Sequence, residues 1–448
     1  MNNGVRGSSE PLFLSFNQEA SCISVGTRRG FGIYNCEPFG KCFQEEIGGI
    51  GIAEMLYCTS LVALVGAGDQ SSGGCMKPAF SPRRLRVWNT KTGAAICDLN
   101  FVTAVLAVRM NRQRLVAVLE RKLYIFDINT MKILETLDTS PNPTALCVLS
   151  PFDNGHLAFP SGAVPGEIVL YDANNLSVLN AFQAHRGAPV AMAFNAQGTL
   201  LATASETDSE ENCGLFTLCH SQGTLIRVFA VPSGKKVAAF RRGSYGAQVY
   251  CLAFNETSTI LCASSDTGTI HFFSLTGTES SATGSFGYIA PITSTLAVAG
   301  STFGSTVFGS APSSSVPIPA PSTTAKPAGG LPIGVSPTRS SRSSSGSSSL
   351  DDVAGAVSAY LPGSISGIAE GTRDFAYARL RTVGVPNRCA VHGPKDERNP
   401  VVQLYVATAD GYFYEYSLNV KVGGECKLER ENVLRDSVSE EIGAVYIS

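Results

Sequence analysis

The sequence predicts an all-β protein folded as a seven-bladed β-propeller. Three observations carry this reading. One strand pattern recurs seven times along the chain. Most copies lie about one blade length apart, roughly 40–45 residues. Each copy has further short strand-like runs beside it, with turn residues between them.

The recurring pattern is a β-rich run that ends in an aromatic and a small polar residue. It reads FGIYN from Phe31, LRVWN from Leu85, LYIFD from Leu123, IVLYD from Ile168, LIRVFA from Leu225, IHFFS from Ile270 and FYEYS from Phe413. The aromatics Tyr34, Trp88, Phe126, Tyr171, Phe229, Phe273 and Tyr416 follow one another at 54, 38, 45, 58, 44 and 143 residues. The two widest intervals that follow Tyr171 and Phe273 hold inserts. Upstream of each pattern lies an apolar run rich in small residues, such as LVALVG, LLATAS, ILCASS or LYVATA. Before most of these comes another, as in LFLSFN, VLAVRMN, VAMAFN and VYCLAFN. A fourth run such as KILETL or KKVAAF usually follows. Four short strands make one blade. The Asp of the WD signature survives only at Asp127 and Asp172, so the repeats are degenerate WD40-type repeats.

Composition narrows the function. A chain of 448 residues, 44% hydrophobic, has material for a large core. The net charge of −2 gives no global field toward nucleic acid, and no basic stripe is visible. The N-terminus MNNGVRGSSE lacks the apolar centre of a signal peptide. No apolar run reaches the roughly 18–20 residues of a membrane span. The chain is therefore expected to be soluble or peripheral to a membrane, and monomeric in solution. Thirteen cysteines without a C-x-x-C pair read as reduced, mostly buried thiols. Cys213, Cys219 and His220 lie close together, but a zinc site needs more ligands at better spacing, so no metal or cofactor is expected. No G-x-S-x-G, P-loop, H-E-x-x-H or G-x-G-x-x-G motif points to an enzyme.

The organisation follows from the repeats. Residues 1–10 are expected to be a disordered N-terminus, 11–275 to hold blades 1 to 6 up to the third strand of blade 6, and 374–448 to supply its last strand and blade 7. The first insert, ETDSEENCGLFTLCHSQ, spans 206–222 and reads as a surface loop. The second spans 276–373. Up to about Ser349 it is rich in Ser, Gly, Pro, Thr and Ala, a composition that buries too little apolar surface to offset ordering. Beyond it, Val353, Val357, Tyr360 and Leu361 have helical spacing, Asp351 and Asp352 suit a first turn, and Pro362 ends it. Ile365 and Ile368 add a further apolar turn. The spacing suits either a helix packed on the propeller or one that enters a bilayer shallowly.

The residues that suggest chemistry are Arg241 and Arg242, in VAAFRRG at the close of blade 5. Neighbouring strand residues face opposite ways. Two adjacent arginines would then serve two pockets, one toward each flank, and a guanidinium fork suits phosphate oxygens. Polar residues gather on both sides: His185, Thr203, Ser205, Thr224 and Arg227 for blade 5, and Ser264, Ser265, Thr269 and His271 for blade 6. Arginine pairs also occur at Arg28–Arg29 and Arg83–Arg84, and the reading as solvated surface stays open on pattern alone.

The segment SQGTLIRVFAVPSGKKVAAFRRG, followed by VYCLAFN and LCASSDTGTIHFFSL, resembles the PROPPIN (WIPI) family. SPRRLRVWNTKTGAAICDLNF, MNRQRLVAVLERKLYIFD, AHRGAPVAMAFN, DFAYARL and ATADGYFYEYSLNVKVGGECKL resemble it too, so the likeness spans nearly the whole chain outside the inserts. The spelling looks nearest to plant or algal members. The resemblance implies a cytoplasmic propeller that binds phosphatidylinositol 3-phosphate and phosphatidylinositol 3,5-bisphosphate on phagophore, autophagosome, endosomal or vacuolar membranes. It implies one headgroup site with His185, Ser205, Thr224, Arg227 and Arg241, and a second with Arg242, Ser264, Ser265, Thr269 and His271. It also implies a membrane-inserting segment with Val357, Tyr360, Leu361, Ile365 and Ile368, and partners among an autophagy lipid-transfer protein and the conjugation machinery. Two spellings depart from the family: residues 206–222 separate Ser205 from Thr224, and Thr267 stands where a His is frequent. The alternative is a protein-interaction propeller without lipid binding.

Overall fold

The computed structural model describes residues 10–68, 80–205, 225–243, 246–275, 371–393 and 400–434. All belong to one compact unit, formed by 1–281 with 362–448. The insert 206–222, Thr224, and Val357, Tyr360, Leu361, Ile365 and Ile368 lie outside the described residues. Within them every regular element is a β-strand.

The strands form seven sheets, each built on four strands that pair in chain order. Blades 1 to 5 span 13–45, 50–100, 107–138, 148–183 and 189–241. Blade 6 takes three strands from 249–274 and its fourth from Ala376–Arg379, and blade 7 spans 387–433. The first strand of each blade packs against the first strand of the next, and Asn387–His392 of blade 7 returns to Phe13–Phe16 of blade 1. The sheets therefore form a closed ring. Seven apolar layers hold it, one at each junction between neighbouring blades.

The repeat pattern explains the blade. Second strands are covered on both faces by adjacent blades, so most of their residues are buried and apolar residues occupy both faces instead of alternating with exposed polar ones. Ala63, Ala117, Ala158, Ala202, Ala263 and Ala407 on these strands sit at 0% exposure. All seven recurring aromatics are buried in third strands, where each contributes about 1.5–3 kcal/mol. In six blades a register shift falls immediately before that aromatic, as between Val228 and Phe229. Such a bulge re-aims the side chain and twists the outer strand. In blades 2, 3 and 4 the polar residue after the aromatic accepts from the next turn, as Asp127 does from the Asn129 and Thr130 amides. The Asn that ends four first strands has a similar duty. Asn195 Oδ1 accepts from the Thr199 and Leu200 amides while its Nδ2 donates to Ser258 of the following blade.

Two features set the region around the arginine pair apart. Thr372–Arg373 adds a fifth, parallel strand to blade 5, aligned with Phe240 and Arg241. Gly424–Glu425 adds one to blade 6, aligned with Ala376 and Tyr377.

Candidate anion-binding site

Phe240 fixes the arginine pair. It is fully buried at the blade 5–6 junction, its ring 4.9 Å from that of Phe273 and nearly parallel to it. Strand alternation then turns Arg241 away from blade 6. Arg241 lies opposite Leu225 in the ladder, on the same face as Arg227 and Thr203, which are themselves opposite one another. Arg242 takes the other direction, toward blade 6.

On the blade-5 face the polar groups close into a ring. Arg227 Nη1 donates to His185 Nδ1 at 3.0 Å and to the Ala184 carbonyl at 3.1 Å. Arginine has only donors, so His185 Nδ1 accepts and Nε2 carries the proton. Nε2 meets Thr203 Oγ1 at 2.8 Å, and Thr203 donates onward to the Arg227 carbonyl at 3.3 Å. His185 is 2% exposed and Thr203 fully buried. His185 thus aims the Arg227 guanidinium. Ser205 is buried on the same side, its hydroxyl donating to the Ala188 carbonyl at 3.0 Å.

The blade-6 face is built differently. Arg242 is 4% exposed, with Nη1 at 3.3 Å from both Ser265 Oγ and Thr267 Oγ1, which are 2.9 Å apart. Burial pulls its pKa below the ordinary arginine value, and the nearby Asp266 carboxylate works in the opposite direction. A buried guanidinium among hydroxyls is a site where an anion is favoured. Ser265, Thr269 and His271 share the face of the sheet that meets blade 5, with Thr269 opposite Arg379 and His271 opposite Tyr377. His271 Nδ1 lies 3.0 Å from Asp374 Oδ2.

Ser264 does not join this group. It pairs with Ile270 in register, one residue out of phase with Ser265, and so faces blade 7. Its enclosed hydroxyl has no nitrogen or oxygen partner and lies near the Cys389 thiol. Alternation along Ile260–Ser265 was the signal that separates the two serines. Thr267 and Asp374 are the contacts that sequence grouping omitted. Thr267 occupies the position whose spelling departs from the family, and Asp374 lies just after the strand Thr372–Arg373, 103 residues beyond His271. Among the described residues no cluster of His, Cys, Asp and Glu could hold a metal, and no helix is long and apolar enough to cross a membrane.

Comparison with known proteins places this architecture. The sequence model of the PROPPIN family matches residues 12–290. Autophagy-related protein 18 of Yarrowia lipolytica is 39% identical, covering 97% of this chain and 98% of its own length. Its namesake in Dictyostelium discoideum is 37% identical, covering 96% and 95%. Among solved structures, KlAtg21 in complex with the coiled coil of AgAtg16 superposes with a TM-score of 0.61 at 25% identity, covering 95% of this chain and 99% of that one. Kluyveromyces lactis Hsv2 with its complete loop 6CD gives 0.59 at 17% identity over 95% and 100%, a likeness of fold alone.

Proposed function

Because the chain belongs to the PROPPIN family, we propose that it is a non-catalytic phosphoinositide effector of autophagy. It binds phosphatidylinositol 3-phosphate and phosphatidylinositol 3,5-bisphosphate through two basic sites that flank Phe240–Gly243. The observation that carries this reading is the division of one dipeptide. Arg241 and Arg242 are turned to opposite faces by a buried Phe240, and each face presents hydroxyls and a histidine. Arg241, Arg227, Ser205 and Thr224 serve the blade-5 site, with His185 as the group that orients Arg227. Arg242, Ser265, Thr269 and His271 serve the blade-6 site, with Thr267 added and Ser264 left out. The segment with Val357, Tyr360, Leu361, Ile365 and Ile368 enters the bilayer.

The protein acts from the cytoplasm on phagophore, autophagosome, endosomal or vacuolar membranes, and recruits a lipid-transfer protein and the conjugation machinery there. The likeness to KlAtg21, solved with the coiled coil of AgAtg16, supports a protein-partner surface in addition to the lipid sites. The test is flotation on liposomes that contain phosphatidylinositol 3-phosphate. Replacing Arg241 and Arg242 together with Thr is expected to abolish flotation with little change in the thermal midpoint. Unchanged flotation would overturn the site assignment and favour an interaction scaffold without lipid binding.

A further inference from the structure

Resting on the phosphoinositide reading above, we propose that Arg373 and Asp374 give the two sites opposite headgroup preferences. Arg373 tunes the blade-5 face toward headgroups with two or more ring phosphates. Asp374 tunes the blade-6 face toward headgroups with one.

Position is the first argument. Thr372–Arg373 runs parallel to Phe240–Arg241, with Arg373 aligned to Arg241. Aligned residues on adjacent strands project to the same face. Arg373 therefore stands beside Arg241 on the face that carries Arg227. The next residue turns the other way, and Asp374 Oδ2 reaches His271 Nδ1 at 3.0 Å on the blade-6 face. The Arg-Asp dipeptide thus repeats the division made by Arg-Arg. Gly371 permits the close approach. Its φ is +118°, and a Cβ there would come within 3.0 Å of both the Arg241 amide nitrogen and the Phe240 carbonyl carbon.

Charge is the second argument. Each phosphomonoester carries about −1.5 to −2 at neutral pH. A second ring phosphate on the blade-5 face adds charge opposite a row of three guanidiniums, those of Arg227, Arg241 and Arg373. On the blade-6 face the same phosphate meets a carboxylate as well as Arg242. Asp374 and His271 have side chains only 21% and 15% exposed, so salt screens this repulsion less than it would at an open surface.

The experiment uses the full chain and phosphatidylcholine vesicles with equal mole fractions of phosphatidylinositol 3-phosphate or phosphatidylinositol 3,5-bisphosphate. The readout is the ratio of the two affinities. Arg373→Gln is expected to lower the bisphosphate-to-monophosphate ratio about fivefold, the effect of one basic residue near an anionic surface. Arg373→Lys is expected to keep most of the ratio. Asp374→Asn is expected to raise it by a similar factor. In an Arg242→Gln background only the Arg373 effect persists, and in an Arg241→Gln background only the Asp374 effect. Competition by soluble inositol 1,3-bisphosphate and inositol 1,3,5-trisphosphate should give the same order, which separates headgroup recognition from attraction to a charged surface. A uniform loss on both lipids in Arg373→Gln, or an unchanged ratio in Asp374→Asn, overturns the proposal. Failure of the unaltered chain to bind either vesicle overturns the phosphoinositide reading itself.

Discussion

The two faces reached by Arg241 and Arg242 begin from one dipeptide and end as different kinds of site. On the blade-5 face, Arg227, His185 and Thr203 satisfy one another in a buried ring of hydrogen bonds. On the blade-6 face, Arg242 rests between two hydroxyls and His271 faces a carboxylate from a distant part of the chain. The same residue types are therefore used once for rigidity and once for electrostatic poise. Polar groups that satisfy each other stabilise the fold, whereas a buried cation with a hydroxyl setting favours an anionic ligand.

The comparison breaks most thoroughly at Phe240, which supports both faces. Phe240→Ala is expected to destabilise the propeller by about 3–5 kcal/mol in a denaturant titration and to weaken lipid binding at both sites. A loss confined to one site would show that the faces do not share this support. Thr203→Val comes next. It leaves the Arg227 carbonyl without the Thr203 donor and His185 Nε2 without its acceptor, so the unfolding free energy should fall by about 1–3 kcal/mol. The equivalent change on the other face, Thr267→Val, is expected to cost less than about 1 kcal/mol while lowering lipid affinity, because Thr267 is exposed. Equal stability losses for the two valines would erase the distinction. Arg242→Met sharpens it further. Removing a buried charge is expected to leave thermal stability equal or slightly higher, while vesicle binding at the blade-6 face falls at least about tenfold. The smallest effect is expected for Asp374→Asn on stability, within about 0.5 kcal/mol, since a single ion pair at the margin of a blade adds little to folding.

Much of this arrangement is legible in the chain itself. The seven aromatics mark the third strands because a buried, two-sided setting demands them at a fixed place in each blade. Arg241 and Arg242 were legible because alternation along a strand is a local rule. The bulge before six of the aromatics was not legible, since a register shift belongs to a pair of strands and no single run encodes it. The same holds for Arg373 and Asp374. Their partners Arg241 and His271 lie more than 100 residues away, and a two-residue parallel pairing leaves no periodic trace. Ser264 was grouped with Ser265 by proximity in sequence, although one step along a strand reverses the direction of a side chain.

The short parallel strands at Thr372–Arg373 and Gly424–Glu425 have a further consequence. A propeller blade ends in a strand whose outer backbone groups are open to pairing by any extended segment. A membrane gathers many copies of a peripheral protein into two dimensions, where such encounters multiply. On blades 5 and 6, the two that carry the arginine pair, part of that outer backbone is already taken by the chain itself. Copies crowded side by side are thereby held back from joining sheet to sheet along this part of the rim, because some of its backbone groups are already paired within the chain.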